Sequence, residues 1–300
     1  MLRSLAIVLL LSSPALAGNL GSPVVGGTTV RRGAYPDVVA VLTRDGGMCT
    51  GTLLAADLVV TAGHCAEAGL AEVIVDTVDL AQPGGQRRKV KWSKAYPKWL
   101  ETYDVGIGML ENPVYAKQRA VAQGCTAKQL AAGTKLTVVG LGLTTKTGQG
   151  DNTRLHQAKL PVIDPLCTED VSCQAAIAPG GEFTAGGDGV DACFGDSGGP
   201  VYITTKAGPA LLGIVSRGLL SWGNPCGEGG VYVRADKVVK WIEAETGRVL
   251  DRADCDGPAD DAGAADADVE TGGCTTGGGI LESGFAVIFG VLVLLGMRRR

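Results

Sequence analysis

The chain has 300 residues, 45% of them hydrophobic and 19% charged, enough for a sizeable core. A formal net charge of −4 with no basic stripe gives no footing for nucleic-acid binding. Residues 1–17 read as an export signal: Arg3, the apolar run Leu5 to Leu11, then Ala15-Leu16-Ala17 as a small-residue cleavage site. That run is too short to span a membrane. Nine cysteines behind such a signal place the protein in an oxidising compartment.

Beyond the signal, short apolar or alternating segments recur between Gly, Pro and Asp turns. They are Val38 to Leu42, Leu53 to Thr61, Glu72 to Val75, Lys89 to Trp92, Val105 to Leu110, Lys135 to Val139, Ala158 to Val162, Pro200 to Thr204, Leu211 to Ser216 and Gly230 to Arg234. Many short strands at this spacing predict an all-β sandwich or barrel. Near the end the period changes. Val238, Val239, Trp241 and Ile242 form one helical face, with Gly247 placed to cap it. Glu72, Asp76 and Asp79 lack a metal-loop pattern and read as surface charges, so no metal and no cofactor are expected.

Three places carry chemistry. Gly195-Asp196-Ser197-Gly198-Gly199-Pro200 holds a serine on a glycine-rich turn, where backbone N–H groups can face a developing oxyanion. A nucleophile needs a base, and the chain has only two histidines. His64 follows the apolar strand in Thr61-Ala62-Gly63-His64-Cys65, whereas His156 sits in a polar stretch and reads as a solvated loop residue. Asp104 opens the apolar run Val105 to Leu110; a carboxylate half-buried there needs a hydrogen-bonded partner, and a histidine N–H would serve. The serine also fits the G-x-S-x-G pattern of α/β-hydrolases, which place acid and histidine after it. No histidine follows Ser197, so the order His64, Asp104, Ser197 excludes that fold if the serine is catalytic.

From about Val24 to Gly247 the chain resembles the trypsin-like serine proteases of the chymotrypsin family. The resemblance rests on Val24-Val25-Gly26-Gly27, Cys49-Thr50-Gly51-Thr52-Leu53, Thr61 to Cys65, Asp104-Val105-Gly106-Ile107, Gly195 to Pro200 and Gly230-Val231-Tyr232, in that order. It implies two six-stranded antiparallel barrels, residues 24–120 and 121–234, with a C-terminal helix and a protease domain of residues 24–248. It implies a triad of His64, Asp104 and Ser197, and an oxyanion hole from the N–H groups of Gly195 and Ser197. Asp191, six residues before Ser197, would sit at the base of the primary pocket and select Arg or Lys; Asp188 is the decoy three residues away. Ser216, Gly218 and Gly230 would line the substrate site. Ser216-Arg217-Gly218 is preferred over Ser221-Trp222-Gly223 for the substrate-pairing edge, with Arg217 facing outer subsites and favouring acidic or small residues there.

The same resemblance makes residues 18–23 a short pro-segment whose removal frees the Val24 amine to pair with Asp196. Pro23 at that bond points to a separate activating protease, or to a cut elsewhere followed by trimming, because trypsin-like enzymes do not cut after proline. Implied disulfides are Cys49–Cys65 and Cys193–Cys226. Cys125, Cys167, Cys173 and Cys255 fall off the family's usual further positions, with Cys167–Cys173 and Cys125–Cys255 as the working pairs. From residue 249 to 273 aspartates are interleaved with Ala and Gly, the composition of a disordered acidic linker. Gly273-Cys274, the apolar run Phe285 to Met297 and Arg298-Arg299-Arg300 resemble the MYXO-CTERM sorting tail of myxobacterial surface proteins. That implies envelope sorting machinery, removal of the tail with surface attachment near Cys274, and a site at the cell surface or outer envelope, or release from it; the rival reading of residues 274–300 is a permanent membrane tether. Protein or peptide substrates are the expected partners. The rival reading is a catalytically inactive protease-fold module for surface adhesion or binding.

Overall fold

The computed structural model describes residues 23–219 and 223–255. The signal, most of the pro-segment, Ser221-Trp222, most of the acidic linker and the C-terminal segment lie outside the described residues. The described chain lies within one compact unit, residues 1–259; the second unit, residues 260–300, is outside it. Among the described residues no helix is long and apolar enough to cross a membrane.

Strand β1 (Thr28–Thr29) precedes a closed barrel. Its strands are β2 (Val38–Thr43), β3 (Met48–Ala55), β4 (Leu58–Thr61), β5 (Leu70–Val75), β6 (Gln86–Ala95) and β7 (Gly106–Leu110), joined in the order β2-β3-β4-β7-β6-β5. The run expected as one strand from Leu53 to Thr61 turns at Ala56-Asp57 into a hairpin, because Asp57 is poorly suited to a strand interior. Val39, Val41, Leu53, Val59, Leu70, Val73 and Val90 fill the barrel interior.

The second sheet contains β8 (Val121–Ala122), β9 (Lys135–Gly140), β10 (His156–Pro161), β11 (Glu182–Ala185), β12 (Pro200–Thr205), β13 (Gly208–Gly218), β14 (Gly230–Arg234) and β15 (Arg252–Ala253). Six strands run β10-β9-β12-β13-β14-β11, and the isolated bridge Val162↔Ala185 joins the two ends of that path. The fold is thus the mostly-β architecture expected, with two departures. β1 adds to β10, and β8 and β15 attach by parallel pairing, so the sheet is neither purely antiparallel nor limited to six strands. Strand β11 is too short, at four residues, to declare itself by periodicity.

The helix Ala235–Thr246 buries Val238, Val239 and Ile242, and Gly247 caps it in the left-handed conformation at φ 67°. The described fold continues past the expected boundary at residue 248. Leu250 is buried, Arg252 forms a two-pronged pair with Glu243, and Cys125–Cys255 is bridged. Residues 249–255 therefore belong to the fold, because one apolar anchor and a crosslink offset the polarity of the sequence around them.

His156 corrects another expectation. It opens β10, opposite Gly140 and Thr29, and is 1% exposed. Pairing on both sides removes it from water, its Nδ1 has no partner among the described residues, and burial pushes its pKa down to about 4. The folded protein keeps the ring neutral while the unfolded chain protonates it near 6.5. This part of the stability is therefore complete above pH 6.5 and is lost as pH falls toward 4. Thermal melts of His156→Gln should lose that acid slope, which for the parent chain amounts to about 3 kcal/mol across the window.

Candidate active site

Strand pairing brings the acid and the base together. β4 and β7 are in register with Thr61 opposite Gly106, so the turn after β4 lies beside the segment before β7. His64 sits on that turn, Gly63–Glu67, which the Cys49–Cys65 disulfide ties to β3. Asp104 is 6% exposed and accepts three hydrogen bonds: from the His64 backbone N–H at 2.9 Å, from His64 Nδ1 at 2.9 Å, and from Ser216 Oγ at 2.7 Å. Burial pushes this carboxyl up. The hydrogen bonds and charge of His64, with the Ser216 hydroxyl, more than offset that and hold it below the usual carboxylate range. A carboxylate on Nδ1 assigns the ring proton to that nitrogen and leaves Nε2 as an acceptor facing the cleft.

Ser197 reaches the same cleft from the second sheet, on the segment that leads into β12. Gly198 lets its turn press against the end of β4: a Cβ there would lie 2.0 Å from Thr61 Oγ1 and 2.4 Å from the Ala62 nitrogen. Two peptide planes beside Ser197 are oriented by their carbonyls. Phe194 O accepts from Leu143 N–H at 2.8 Å, so the Gly195 N–H points the opposite way. Asp196 O accepts from Gly199 N–H at 2.7 Å, which turns the Ser197 N–H likewise. Neither N–H has an acceptor among the described residues. His64, Ser197 and Asp104 line one cavity of about 410 Å³, though no hydrogen bond joins Ser197 Oγ to the imidazole in this structure. Such contacts commonly tighten only when substrate binds.

Asp191, 1% exposed, lines the same cavity. It accepts from the N–H groups of Gly227 and Gly229 and from the Tyr232 hydroxyl, each at 3.2 Å. Burial raises its pKa to about 6 despite these donors. Gly230 keeps the carboxylate clear, since a Cβ there would stand 3.2 Å from Asp191 Oδ1. Gly218 and the Cys193–Cys226 disulfide line the wall. Asp188 is not among the lining residues. Asp196 is fully buried behind the serine, accepting from Gly142 N–H at 2.7 Å and Cys193 N–H at 2.9 Å; desolvation raises its pKa to about 7. Val24 is also fully buried, with the strained backbone of φ 38° for a β-branched residue, and Val25 O accepts from Asp191 N–H at 3.1 Å.

Ser216-Arg217-Gly218 occupies the cavity edge. The Ser216 hydroxyl turns to Asp104, so any contact with substrate is left to its backbone. The Arg217 guanidinium is held in a two-pronged pair by Glu182 at 2.8 and 2.9 Å. Its charge is already matched, so the expected preference for acidic residues does not follow. Reading the sequence missed Glu182, yet its signal was the one that marked Asp104: a lone acid opening an apolar strand. It also missed Trp99, whose ring lies 6.2 Å from the imidazole, and Phe194, which is exposed at the cavity. Both look like ordinary surface aromatics in sequence.

Cys167–Cys173 and Cys125–Cys255 complete four disulfides among the described residues, consistent with an oxidising compartment. The two cysteine clusters, Cys49-His64-Cys65 and Cys125-Asp254-Cys255, have their sulfurs in these bridges and offer no thiolate to a metal.

The family model "Trypsin" matches residues 24–242. A trypsin of Saccharopolyspora erythraea is 32% identical over 70% of this chain and 92% of that protein. Chymotrypsin-like elastase family member 1 of the dog is 28% identical over 73% of this chain and 90% of that protein. Mouse serine protease 56 is 31% identical over 74% of this chain, a match that spans 38% of its length. The chain belongs to the trypsin family of serine proteases.

Proposed function

From family membership as the premise, we propose that this chain is an exported serine endopeptidase that cuts after Arg or Lys. The observation that supports the specificity best is the burial of Asp191 in the cavity that His64 and Ser197 line. A substrate guanidinium or ammonium entering that slot meets a carboxylate with little competing water. An apolar side chain would leave the carboxylate desolvated and without a counter-charge.

In the proposed mechanism Ser197 Oγ bonds to the scissile carbonyl carbon as its proton passes to His64 Nε2. Asp104 holds the imidazole in the receiving tautomer and stabilises its cation. The carbonyl oxygen, now negative, takes hydrogen bonds from the N–H groups of Gly195 and Ser197, each of the kind whose loss costs about 2.7–4 kcal/mol of barrier. Nε2–H then protonates the leaving nitrogen as the C–N bond breaks, leaving acyl-Ser197. Water repeats the cycle, with His64 first base and then acid, and frees the serine.

Activation would follow cleavage before Val24, releasing an ammonium to pair with Asp196. The supporting facts are the burial of both residues and the strained Val24 backbone while the chain is uncut. The sorting tail and surface attachment near Cys274 extend this reading to residues outside the described structure; intact-mass analysis should find the mature protein truncated near Cys274. The adhesion-module alternative predicts no covalent chemistry at Ser197.

Protein beginning at Val24 should hydrolyse Arg chromogenic peptides at least about 100-fold faster, in kcat/KM, than Phe or Ala ones. It should also be labelled at Ser197 by an organophosphonate; absence of label removes the enzymatic reading. Asp191→Ser should abolish the Arg preference while leaving the label intact. A second test concerns Asp196 in the uncut chain. A buried acid with a raised pKa binds more protons folded than unfolded, so stability falls as pH rises from about 4 to about 7. Because His156 and Asp191 contribute to both forms, the test is the difference: urea midpoints of the uncut chain should fall more steeply over that window than those of the form starting at Val24.

A further inference from the structure

Arg217 does more than border the cavity. Its fork engages Glu182 through Nη1 at 2.8 Å and Nη2 at 2.9 Å, and the Ser172 carbonyl through Nε at 3.0 Å and Nη2 at 2.5 Å. Glu182 is itself fixed: its side chain is 1% exposed and also accepts the Gln174 N–H at 2.8 Å. The guanidinium is thereby locked in one plane. From that plane Nη1 reaches Ser216 Oγ at 2.9 Å, and the same oxygen is 2.7 Å from Asp104 Oδ2.

A hydroxyl has one proton, and an arginine can only donate. Ser216 Oγ must therefore accept from Arg217, and its single proton is committed to Asp104. We propose that Arg217 is a positioning residue for the triad: held by Glu182, it orients the Ser216 hydroxyl, which keeps Asp104 anionic and aimed at His64 Nδ1. The proposal rests on the proteolytic reading of this site for its importance, but its physical content is a coupling that can be measured without turnover. Arg217 and Glu182 together carry no net charge, so the effect on His64 travels through the hydroxyl rather than through a long-range field. With that hydroxyl bonded to it, Asp104 shares its charge between two donors and holds the imidazolium less strongly than it would alone.

The other charged groups around His64 do not duplicate this. Asp191 lines the cavity, and Glu67 is on the histidine's own turn. Against that turn pack β5 and β6, where Glu72 pairs with Arg87 and Lys94 with Glu245, while Arg88, Lys89 and Lys91 complete the charges of β6. None of these touches Asp104.

The test uses the fact that the chain has only two histidines. Imidazole resonances of protein starting at Val24 are titrated by NMR, with His156→Gln assigning the spectrum. Arg217→Met combined with Glu182→Gln removes the fork without changing net charge. It should raise the His64 titration midpoint by about half a unit, the size expected for one weakened hydrogen bond. Ser216→Ala should do the same, and the triple variant should move no further. An unmoved midpoint, or shifts that add, overturns the proposal. On a small Arg ester that fills only the Asp191 cavity, kcat should fall about 3- to 10-fold with KM unchanged. A loss confined to KM of longer peptides would instead make Arg217 a subsite residue and overturn it too. If the paired variant does not fold, Arg217→Lys keeps the cation without the fork and should shift the midpoint upward as well; no shift there is equally fatal. Should the parent protein neither hydrolyse nor take up the organophosphonate, the protease reading fails while the titration still decides the coupling.

Discussion

A carboxylate withdrawn from water must be surrounded by donors, and Asp104 is surrounded from both halves of the molecule. His64 supplies two donors from the first barrel, and Ser216 supplies the third from β13 of the second sheet. The bond set that fixes the imidazole tautomer is thus also a clasp across the cleft. Removing any member would leave a buried acid short of partners, a state that costs far more than one ordinary hydrogen bond is worth.

The same rule recurs away from the cleft. Asp37, just before β2, is fully buried; it pairs with Arg119 and accepts the Tyr202 hydroxyl at 2.5 Å. Arg119 lies over the Tyr202 ring and donates to Pro209 O at 2.7 Å, and Tyr35 stacks on that same Tyr202 ring. This second polar knot joins the first barrel to β12 and the start of β13. At Asp191 and Asp196 burial outweighs the donors and the pKa rises, whereas the backbone N–H groups of Thr168, Leu166 and Glu169 hold the Asp164 carboxyl below its ordinary range. The chain therefore holds buried acids that their donors satisfy beside two, Asp191 and Asp196, whose donors do not offset burial, and it is these two that the proposed function uses.

Much of this was legible in advance for local reasons. Val-rich alternation marked most strands of the first barrel, because a pleated, half-buried surface selects β-branched residues at period two. Gly247 marked the end of the last helix, since a left-handed cap suits a residue without Cβ. The glycines around Ser197 marked a turn pressed against other backbone, and the clash distances at Gly198 show why nothing larger fits. His156 and residues 249–255 were misread for the converse reason. Their neighbours in sequence are polar, while the groups that bury them come from β1, β9 and β8, far away along the chain.

What the sequence alone determined is the order of His64, Asp104 and Ser197, the all-β character, and the kinds of side chain available for catalysis. These are properties of local pattern and chain order, and they hold without knowing what packs where. Only the tertiary structure decided that Arg217 is neutralised by Glu182 rather than offered to a substrate, and that the Ser216 hydroxyl serves Asp104. Those outcomes depend on which donor stands within about 3 Å of which acceptor, and that is set by strand register and loop packing between residues as distant as Asp104 and Ser216, which no spacing along the chain encodes.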